Sequence, residues 1–387
     1  MSQTVAIIGG GPAGMMAAIR AGTDGHRVCL FEQNGELGKK LLITGGGRCN
    51  LTSSVAQAVF LERLIGQARF LRPALSALSQ TDLIDFFEQR GVPLKAEGDK
   101  IYPKSDQARD ILDCLSGEMK RLGVAIRLGT AVKNVMVEER TVTVITERPM
   151  AFDKVIIATG GVSYPVTGSD GRLLATLEPL DRIPWRPGLS SLYSPSVGRE
   201  IMGISLADAV LMYQKSSVRG ELLFTHYGLS GPAALDLSNH LSGGAFPLEI
   251  TLDLLPDLPR EALAEKLFGS NKDLDRRLRG LLPKRLLSYL LRDYRDRDTG
   301  NLKRSERSAF LDQFKAWPVT ILRLGAIEQA TISLGGVALS QLRPKTLEHR
   351  TMPGVYFAGE CLDLAGPTGG FNLQIAFSTG YLAGRLG

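Results

Sequence analysis

Ile7-Ile8-Gly9-Gly10-Gly11-Pro12-Ala13-Gly14 decides how the chain is read. An apolar run, Val5 to Ile8, enters it as a strand, and a helical pattern from Pro12 to Ala21 leaves it. Gly9, Gly11 and Gly14 stand at the G-x-G-x-x-G spacing of a dinucleotide-binding unit. The first glycine permits a tight turn, the second lets a pyrophosphate approach the backbone, and the third lets helix and strand pack closely. The helix that starts at Pro12 and Ala13 then turns free N–H groups and a positive dipole end toward the phosphates. A second strand pattern, Arg27 to Phe31, ends at Glu32-Gln33, where the carboxylate can accept hydrogen bonds from an adenosine ribose. The ordinary alternative is a βαβ turn that needs glycines for packing alone. The strand before, the helix after and the acid at the next strand end favour dinucleotide binding.

The 387 residues predict two or three domains, and 44% hydrophobic with 22% charged residues reads as globular. Glycine and charge interrupt every long apolar run, so no membrane span is predicted. The chain goes straight into its first strand without a basic leader, so a cytoplasmic location is expected. Cys29, Cys49, Cys114 and Cys361 form no C-x-x-C pair, and His26, His226, His240 and His349 lack ligand spacing; neither a disulfide framework nor a metal site is expected. The net charge of +6 is concentrated. Between Lys272 and Arg307 stand twelve Lys or Arg against six Asp or Glu, which accounts for the whole excess. The leucines of that window (Leu278, Leu281, Leu282, Leu286, Leu287, Leu290, Leu291) predict short helices with basic outer faces. Such a face is either solvated surface or the footprint of an anionic partner such as RNA.

Further glycine-rich stretches follow. Lys39 and Lys40 lead into Thr44-Gly45-Gly46-Gly47-Arg48-Cys49-Asn50, whose glycines predict backbone wrapped closely on a ligand. Lys39, Lys40 and Arg48 can offset pyrophosphate charge. Phe60 to Gly91 reads as helical, with Thr81 as an N-cap. A strand and turn over Lys100–Asp106 precede a helix over Gln107–Leu122. Strand patterns follow at Val124–Arg127, Ala131–Val137, Thr141–Thr146 and Lys154–Ala158, and Ala131 and Val132 are placed beside the cofactor. The last of these runs into Ala158-Thr159-Gly160-Gly161-Val162-Ser163-Tyr164, a second close approach of backbone to cofactor. Prolines 184, 187 and 195 mark a crossing into another domain. There Phe224-Thr225-His226-Tyr227 sets hydrogen-bonding side chains beside a glycine turn, and Ser230 is a cap for a helix near Pro232. A lone histidine is otherwise surface or structural. Near the end, the strand Val355–Ala358 reaches Gly359-Glu360, the place where an FAD fold carries an acid for the ribityl chain. Asp363 and Gly366-Pro367-Thr368-Gly369-Gly370-Phe371-Asn372-Leu373 then open a last helix, whose N–H groups can face a flavin carbonyl. First and last segments therefore serve one cofactor, with the middle inserted between them.

The stretches Gly38-Lys39-Lys40 with Thr44–Asn50, Ile101–Asp106, Ala158–Pro165, Gly220–Pro232, Gly335-Gly336-Val337 and Gly354–Gln374 resemble a bacterial FAD-binding oxidoreductase family, known through aminoacetone-oxidase-like and bile-acid-enzyme-like flavoproteins. It includes a ribosomal RNA dihydrouridine synthase and members linked to reduction of steroid double bonds. The resemblance implies an α/β fold: a glutathione-reductase-like, Rossmann-type FAD domain with an inserted β-barrel-like domain that itself carries a helical insertion. On this chain that places FAD-binding parts at 1–186 and 337–387, barrel-like parts at 187–253 and 317–336, and the basic helical insertion at 254–316. Thr167-Gly168-Ser169-Asp170-Gly171 is shorter than the family form, and Thr346–Arg350 replaces its usual Thr-Met-Glu-Ser-Lys.

The expected activity is hydride transfer from flavin N5 to an activated C=C bond, with NAD(P)H as electron donor and uridine in ribosomal RNA as one substrate reading. No second G-x-G-x-x-G is present, so a nicotinamide site must be unconventional. Proton-donor candidates are Cys49, His226 and Tyr164, with the Cys49 pKa expected to be set by Arg48. Alternatives are a small-molecule oxidase or enone reductase with the basic helices as plain surface, and a non-catalytic FAD-containing binding protein.

Overall fold

Four parallel strand pairings build the sheet at the centre of the first compact unit, Met1–Arg186 with Thr331–Gly387. The computed structural model describes residues 2–138, 141–268, 274–294, 297 and 299–386. Strand β1 (Thr4–Ile8) leads through the glycine turn into α1 (Pro12–Thr23), and β2 (Arg27–Phe31) lies beside β1. Helix α2 (Ala108–Arg121) precedes β3 (Ala125–Arg127). Strand β4 (Lys154–Ile157), β5 (Val355–Phe357) and α3 (Phe371–Gly384) complete the layer. The order is β5-β4-β1-β2-β3, with Val5 opposite Lys154 and Thr4 opposite Arg27. Strands covered on both faces need no polar alternation, and Val5, Ala6, Ile7, Val155, Ile156 and Ile157 are fully buried. Helix α3 lies directly on α1. A Cβ on Gly380 would stand 2.2 Å from the Ala13 carbonyl oxygen, so the helices meet backbone to backbone.

The second unit, Pro187–Ala330, is an antiparallel structure with its own apolar core. Its seven-stranded sheet runs in the order Trp317–Ile321, Leu248–Asp253, Ser205–Tyr213, Ser216–Thr225, Gly228–Ser230, Leu192–Tyr193, Arg323–Leu324. The two outermost strands are consecutive in the chain, so the sheet curls back on itself. Helices Arg260–Phe268, Leu274–Arg277, Lys284–Leu290 and Arg304–Lys315 follow the Leu248–Asp253 strand. Leu278, Leu286 and Leu291 are fully buried there, while Arg276, Arg279, Lys284, Arg285, Arg292 and Arg304 are exposed. The window's Lys272 and Arg295 lie outside the described residues.

Several sequence expectations change in detail. The helical stretch from Phe60 to Gly91 is three helices, Gln57–Glu62, Ala68–Ala77 and Gln80–Glu88. The cap is Ser79 rather than Thr81: its hydroxyl accepts from the Asp82 amide, and Asp82 accepts from the Ser79 amide at 2.8 Å, a reciprocal box. Gly231, not Ser230, caps Pro232–Leu241, because a left-handed glycine (φ 87°) turns the chain there. The strand expected from Ala131 begins at Asn134, so Ala131 and Val132 lie in the connection before it.

Candidate functional site

The three glycines of the first turn do different work. Gly9 has φ +110°, and a Cβ there would stand 2.3 Å from the Ala158 carbonyl oxygen. A Cβ on Gly14 would stand 1.9 Å from the Gly9 carbonyl oxygen, which fixes α1 against β1. Gly11 is different: a Cβ there would meet nothing within 4 Å. Close packing at Gly9 and Gly14 with open space at Gly11 is a cradle for a ligand at the α1 N-terminus, where the first-turn N–H groups lack intrahelical partners. Pro12 occupies the first helical position, where a missing N–H costs nothing. Glu32 is 8% exposed and locks this turn. Its Oε2 accepts from the Gly10 amide (2.8 Å) and its Oε1 from the Asn34 amide (2.8 Å). Carboxylate oxygens keep further lone pairs after such bonds. Gln33 is committed to its own chain, donating to the Gly168 carbonyl (2.6 Å).

The second glycine run, Thr44–Gly47, turns left-handed at Gly45, Gly46 and Gly47. Thr44 Oγ1 donates to the Leu41 carbonyl (2.7 Å). Arg48 does not stand free for a pyrophosphate. It pairs with Glu97 and with Asp106 (2.7 Å) and lies over the Tyr102 ring at 4.2 Å. Lys95 closes the ring of charges on Asp106 and Glu97. The carboxyls of Asp106 and Glu97 are held below their usual range by their hydrogen bonds to Lys95 and Arg48. Cys49 is itself left-handed (φ 60°) and fully buried. Burial pushes its thiol up to about 12, opposed only by a hydrogen bond to Thr44. The expected control by Arg48 is absent because that guanidinium is spent on two carboxylates. With its side-chain oxygen and nitrogen assigned so that both find partners, Asn50 bridges to the distant glycine loop, donating to the Thr52 carbonyl and accepting from the Gly370 amide, both at 3.2 Å.

At the end of β4, Ala158 is buried and Thr159 Oγ1 is a buried hydroxyl with no partner. A buried hydroxyl of this kind calls for a partner, such as a bound ligand or a water. Gly160 (φ 74°) packs on Ser169, and Gly161 on Ser333. Gly359 (φ 80°) lies against the Ala13 Cβ. Glu360, expected to reach a ribityl chain, is already engaged. Lys40 Nζ pairs with it at 2.7 Å, and its Oε1 also accepts from the Ser333 amide (2.9 Å) and Ser163 Oγ (3.2 Å). Lys40 also donates to Ser163 Oγ (2.6 Å). Ser163 and Ser333 are not singled out by the sequence, because a serine, even inside or beside a glycine motif, carries no signal of its distant partner. Lys39 and Asp363 are each half-buried. The last loop is tied by Asn372, which accepts from the Gly366 amide (2.9 Å) and donates to the Gly366 carbonyl (3.0 Å). Gly369 (φ 102°) and Gly370 (φ 90°) open α3, Phe371 stacks on Phe60 at 4.4 Å, and Leu373 is partly buried. The cradle at Gly11, the orphan hydroxyl of Thr159 and two glycine-opened helix starts fit FAD. Among the described residues no cluster of three metal-ligating side chains occurs and no helix is long and apolar enough to cross a membrane.

The proton-donor candidates divide between the units. Tyr164 (φ 51°) is half-buried in the first unit, its carbonyl accepting from Thr167 Oγ1 (2.7 Å). His226 is exposed in the second unit, edge-on to Tyr227 at 4.7 Å. Tyr227 stacks on Tyr193 (4.7 Å, 17°), and Arg323 lies over Tyr193 at 3.6 Å. This ladder joins residues more than a hundred positions apart, which no local pattern reveals.

A family model described as "HI0933-like protein Rossmann domain" matches residues 3–386. A ribosomal RNA dihydrouridine synthase of Escherichia coli is 32% identical over 387 residues, 97% of this chain and 95% of its own. A 3-dehydro-bile acid delta(4,6)-reductase of Clostridium scindens is 31% identical, covering 98% of both chains. The crystal structure of a 3-ketosteroid-delta4-(5alpha)-dehydrogenase from Rhodococcus jostii superposes with a TM-score of 0.53 at 14% identity, over 100% of this chain and 95% of that one, a likeness of fold.

Proposed function

The chain belongs to the HI0933-like Rossmann family, as an FAD-dependent oxidoreductase, and from that we propose that it saturates an activated C=C bond of uridine in ribosomal RNA, with NAD(P)H as electron donor. Dihydrouridine is uridine with its ring C=C saturated, and a delta-reductase saturates C=C bonds of a steroid; the two named relatives share that chemistry. FAD, when bound, supplies a two-electron hydride relay. The chain's own part is to hold, orient and protonate. The turn Gly9–Gly14 and the α1 N-terminus hold the phosphates, and Thr159 Oγ1 supplies a hydrogen bond. The start of α3 sets N–H groups and a dipole where negative charge develops.

Protonation of the carbon next to the reduced one needs an acid that substrate can reach. His226 meets that need through its exposure, and Tyr164 is the second choice. Cys49 is fully buried, in left-handed backbone, and substrate does not reach it. The single observation favouring RNA over a steroid is the set of exposed basic residues Arg276, Arg279, Lys284, Arg285, Arg292 and Arg304 in the second unit. A bile acid carries a single carboxylate, which has no use for six exposed cations. The enone-reductase reading rests on the bile-acid enzyme's similarity across the whole chain. A cytoplasmic location goes with the RNA reading.

The test is an anaerobic visible spectrum of the purified protein with NADH, then NADPH, then unmodified ribosomal RNA. Bleaching by a nicotinamide and reoxidation by RNA is the expected result. Reoxidation by a conjugated steroid ketone and not by RNA overturns the substrate, and a flavin that neither nucleotide bleaches overturns the donor. His226→Ala is expected to leave bleaching intact while dihydrouridine formation falls by about a hundredfold or more.

A further inference from the structure

The second unit contains a half-open cavity of about 160 Å³ lined by Ser196, Tyr289, Leu290, Arg292, Asp293, Gln313 and Trp317. All of these come from 187–330, and none is a cofactor candidate. Three features make it specific. Its size suits one six-membered ring, since a protein cavity of about 150 Å³ takes a benzene. Its walls are aromatic: Tyr289 and Trp317 have ring centroids 6.0 Å apart at 45°, and Arg292 lies over Tyr289 at 4.7 Å. Gln313 also lines it, and Gln313 Oε1 is a buried acceptor without a hydrogen-bond partner. Turned toward the cleft, that acceptor complements a flat ligand that carries an N–H.

We propose that this cavity takes a single uracil ring of an RNA strand as an anchoring contact. The inference rests on the reading of RNA as substrate. Uracil carries one ring N–H between two carbonyl oxygens. The N–H matches the free Gln313 oxygen. Ser196 Oγ accepts from the Thr320 amide (3.3 Å), which leaves its own O–H to donate to a carbonyl, and Arg292 is a second donor at the rim. Arg292 pairs with Asp293 at 3.7 Å with both side chains exposed, a contact loose enough to yield to a ligand. Splayed bases are held in this manner, stacked on aromatic and guanidinium planes and hydrogen-bonded at an edge. A steroid or a purine is larger than one six-membered ring, and the exposed basic residues Arg279, Lys284 and Arg285 belong to the same helical segment as the rim. These features select a pyrimidine attached to a phosphate chain.

The chain's two tryptophans are Trp185 and Trp317. Full-length Trp185→Phe protein therefore reports on Trp317 alone. Titration with a short oligouridylate is expected to quench that fluorescence saturably, and an oligoadenylate of equal length to do so weakly. In the unaltered background, Gln313→Leu removes the buried acceptor without changing charge. It is expected to weaken binding of labelled oligouridylate at least about tenfold at unchanged salt dependence. Equal quenching by both oligomers, no quenching, or full-strength binding by Gln313→Leu overturns the proposal. The flavin titration with ribosomal RNA is run on the same proteins. Reoxidation by RNA without a Trp317 response overturns the cavity alone. A Trp317 response without reoxidation supports the cavity and overturns RNA as the oxidant.

Discussion

Lys40 and Glu360 meet at 2.7 Å with each side chain about one-fifth exposed, and Glu360 also gathers Ser163 and Ser333. Removing one charge leaves the other short of a partner in a partly desolvated place. Lys40→Met and Glu360→Gln are each expected to destabilise by about 1–3 kcal/mol. The double variant should lose less than their sum, a coupling read from thermal midpoints; equal additive losses would remove the network from the account of this site. His349 gives a pH-dependent counterpart. It is 2% exposed, its Nδ1 accepts from the Met352 amide (3.1 Å), and burial lowers its pKa, with Asp181 opposing. The folded ring therefore resists a proton that the unfolded chain takes up. Its contribution is complete above the ordinary imidazole range and is lost as pH falls through that range toward the folded pKa. Between pH values on either side of that range the wild type should lose more thermal stability than His349→Gln; an identical loss overturns the assignment. Residues that act through backbone were legible in the sequence, since Gly9, Gly11 and Gly14 announce a turn by spacing alone. Residues that act through a distant partner were not: nothing near Arg48 foretells that Glu97 and Asp106 occupy it.

At the scale of elements, the turn between β1 and α1 separates folding from binding within six residues. Gly9 needs its glycine for the fold, because a Cβ would meet the Ala158 carbonyl at 2.3 Å in left-handed backbone. Gly11 does not, since its φ of −83° suits any residue and a Cβ meets nothing. Gly9→Ala is therefore expected to lower the thermal midpoint of the apoprotein, by about 1–3 kcal/mol of strain and overpacking. Gly11→Val should leave the apoprotein midpoint unchanged and abolish the flavin absorbance of the purified protein. A Gly11→Val protein that keeps its flavin would mean the phosphates lie elsewhere. The same elements explain what patterning could and could not supply. Arg27–Phe31 has the bounds its pattern predicts, because Val28, Leu30 and Phe31 are buried and the apolar signal runs on without a break. The region from Phe60 to Gly91 merged three helices into one, because helical periodicity continues through Leu64 and Leu78 while the breaks at 63–67 and at Ser79 are set by caps and by a two-residue strand pair at Ile65–Gly66 with Leu364–Ala365. That partner is three hundred residues away in sequence.

Across the whole molecule the charge is divided, and this division makes a quantitative statement about RNA. The net charge is +6, and the window Lys272–Arg307 carries all of it, so the remaining chain is neutral in sum. Leucines turn inward there and Arg279, Lys284 and Arg304 turn outward. If about four phosphates of a single strand are neutralised, the logarithm of the binding constant falls with that of salt at a slope near −0.7 per phosphate, so a fourfold rise in salt costs roughly fiftyfold in affinity. Arg279→Glu, Lys284→Glu and Arg304→Glu together should reduce the magnitude of that slope by about 2. Reduction of the flavin by nicotinamide should not change, because none of the three residues belongs to the unit that holds the glycine turn. The two readouts separate the possible failures. An unchanged slope means the basic helices are solvated surface and RNA, if bound, lies on other residues. A changed slope with unchanged RNA-dependent reoxidation means these charges collect RNA without being needed for turnover. Loss of both assigns them to presenting the substrate, and makes the second unit the part that selects what the flavin reduces.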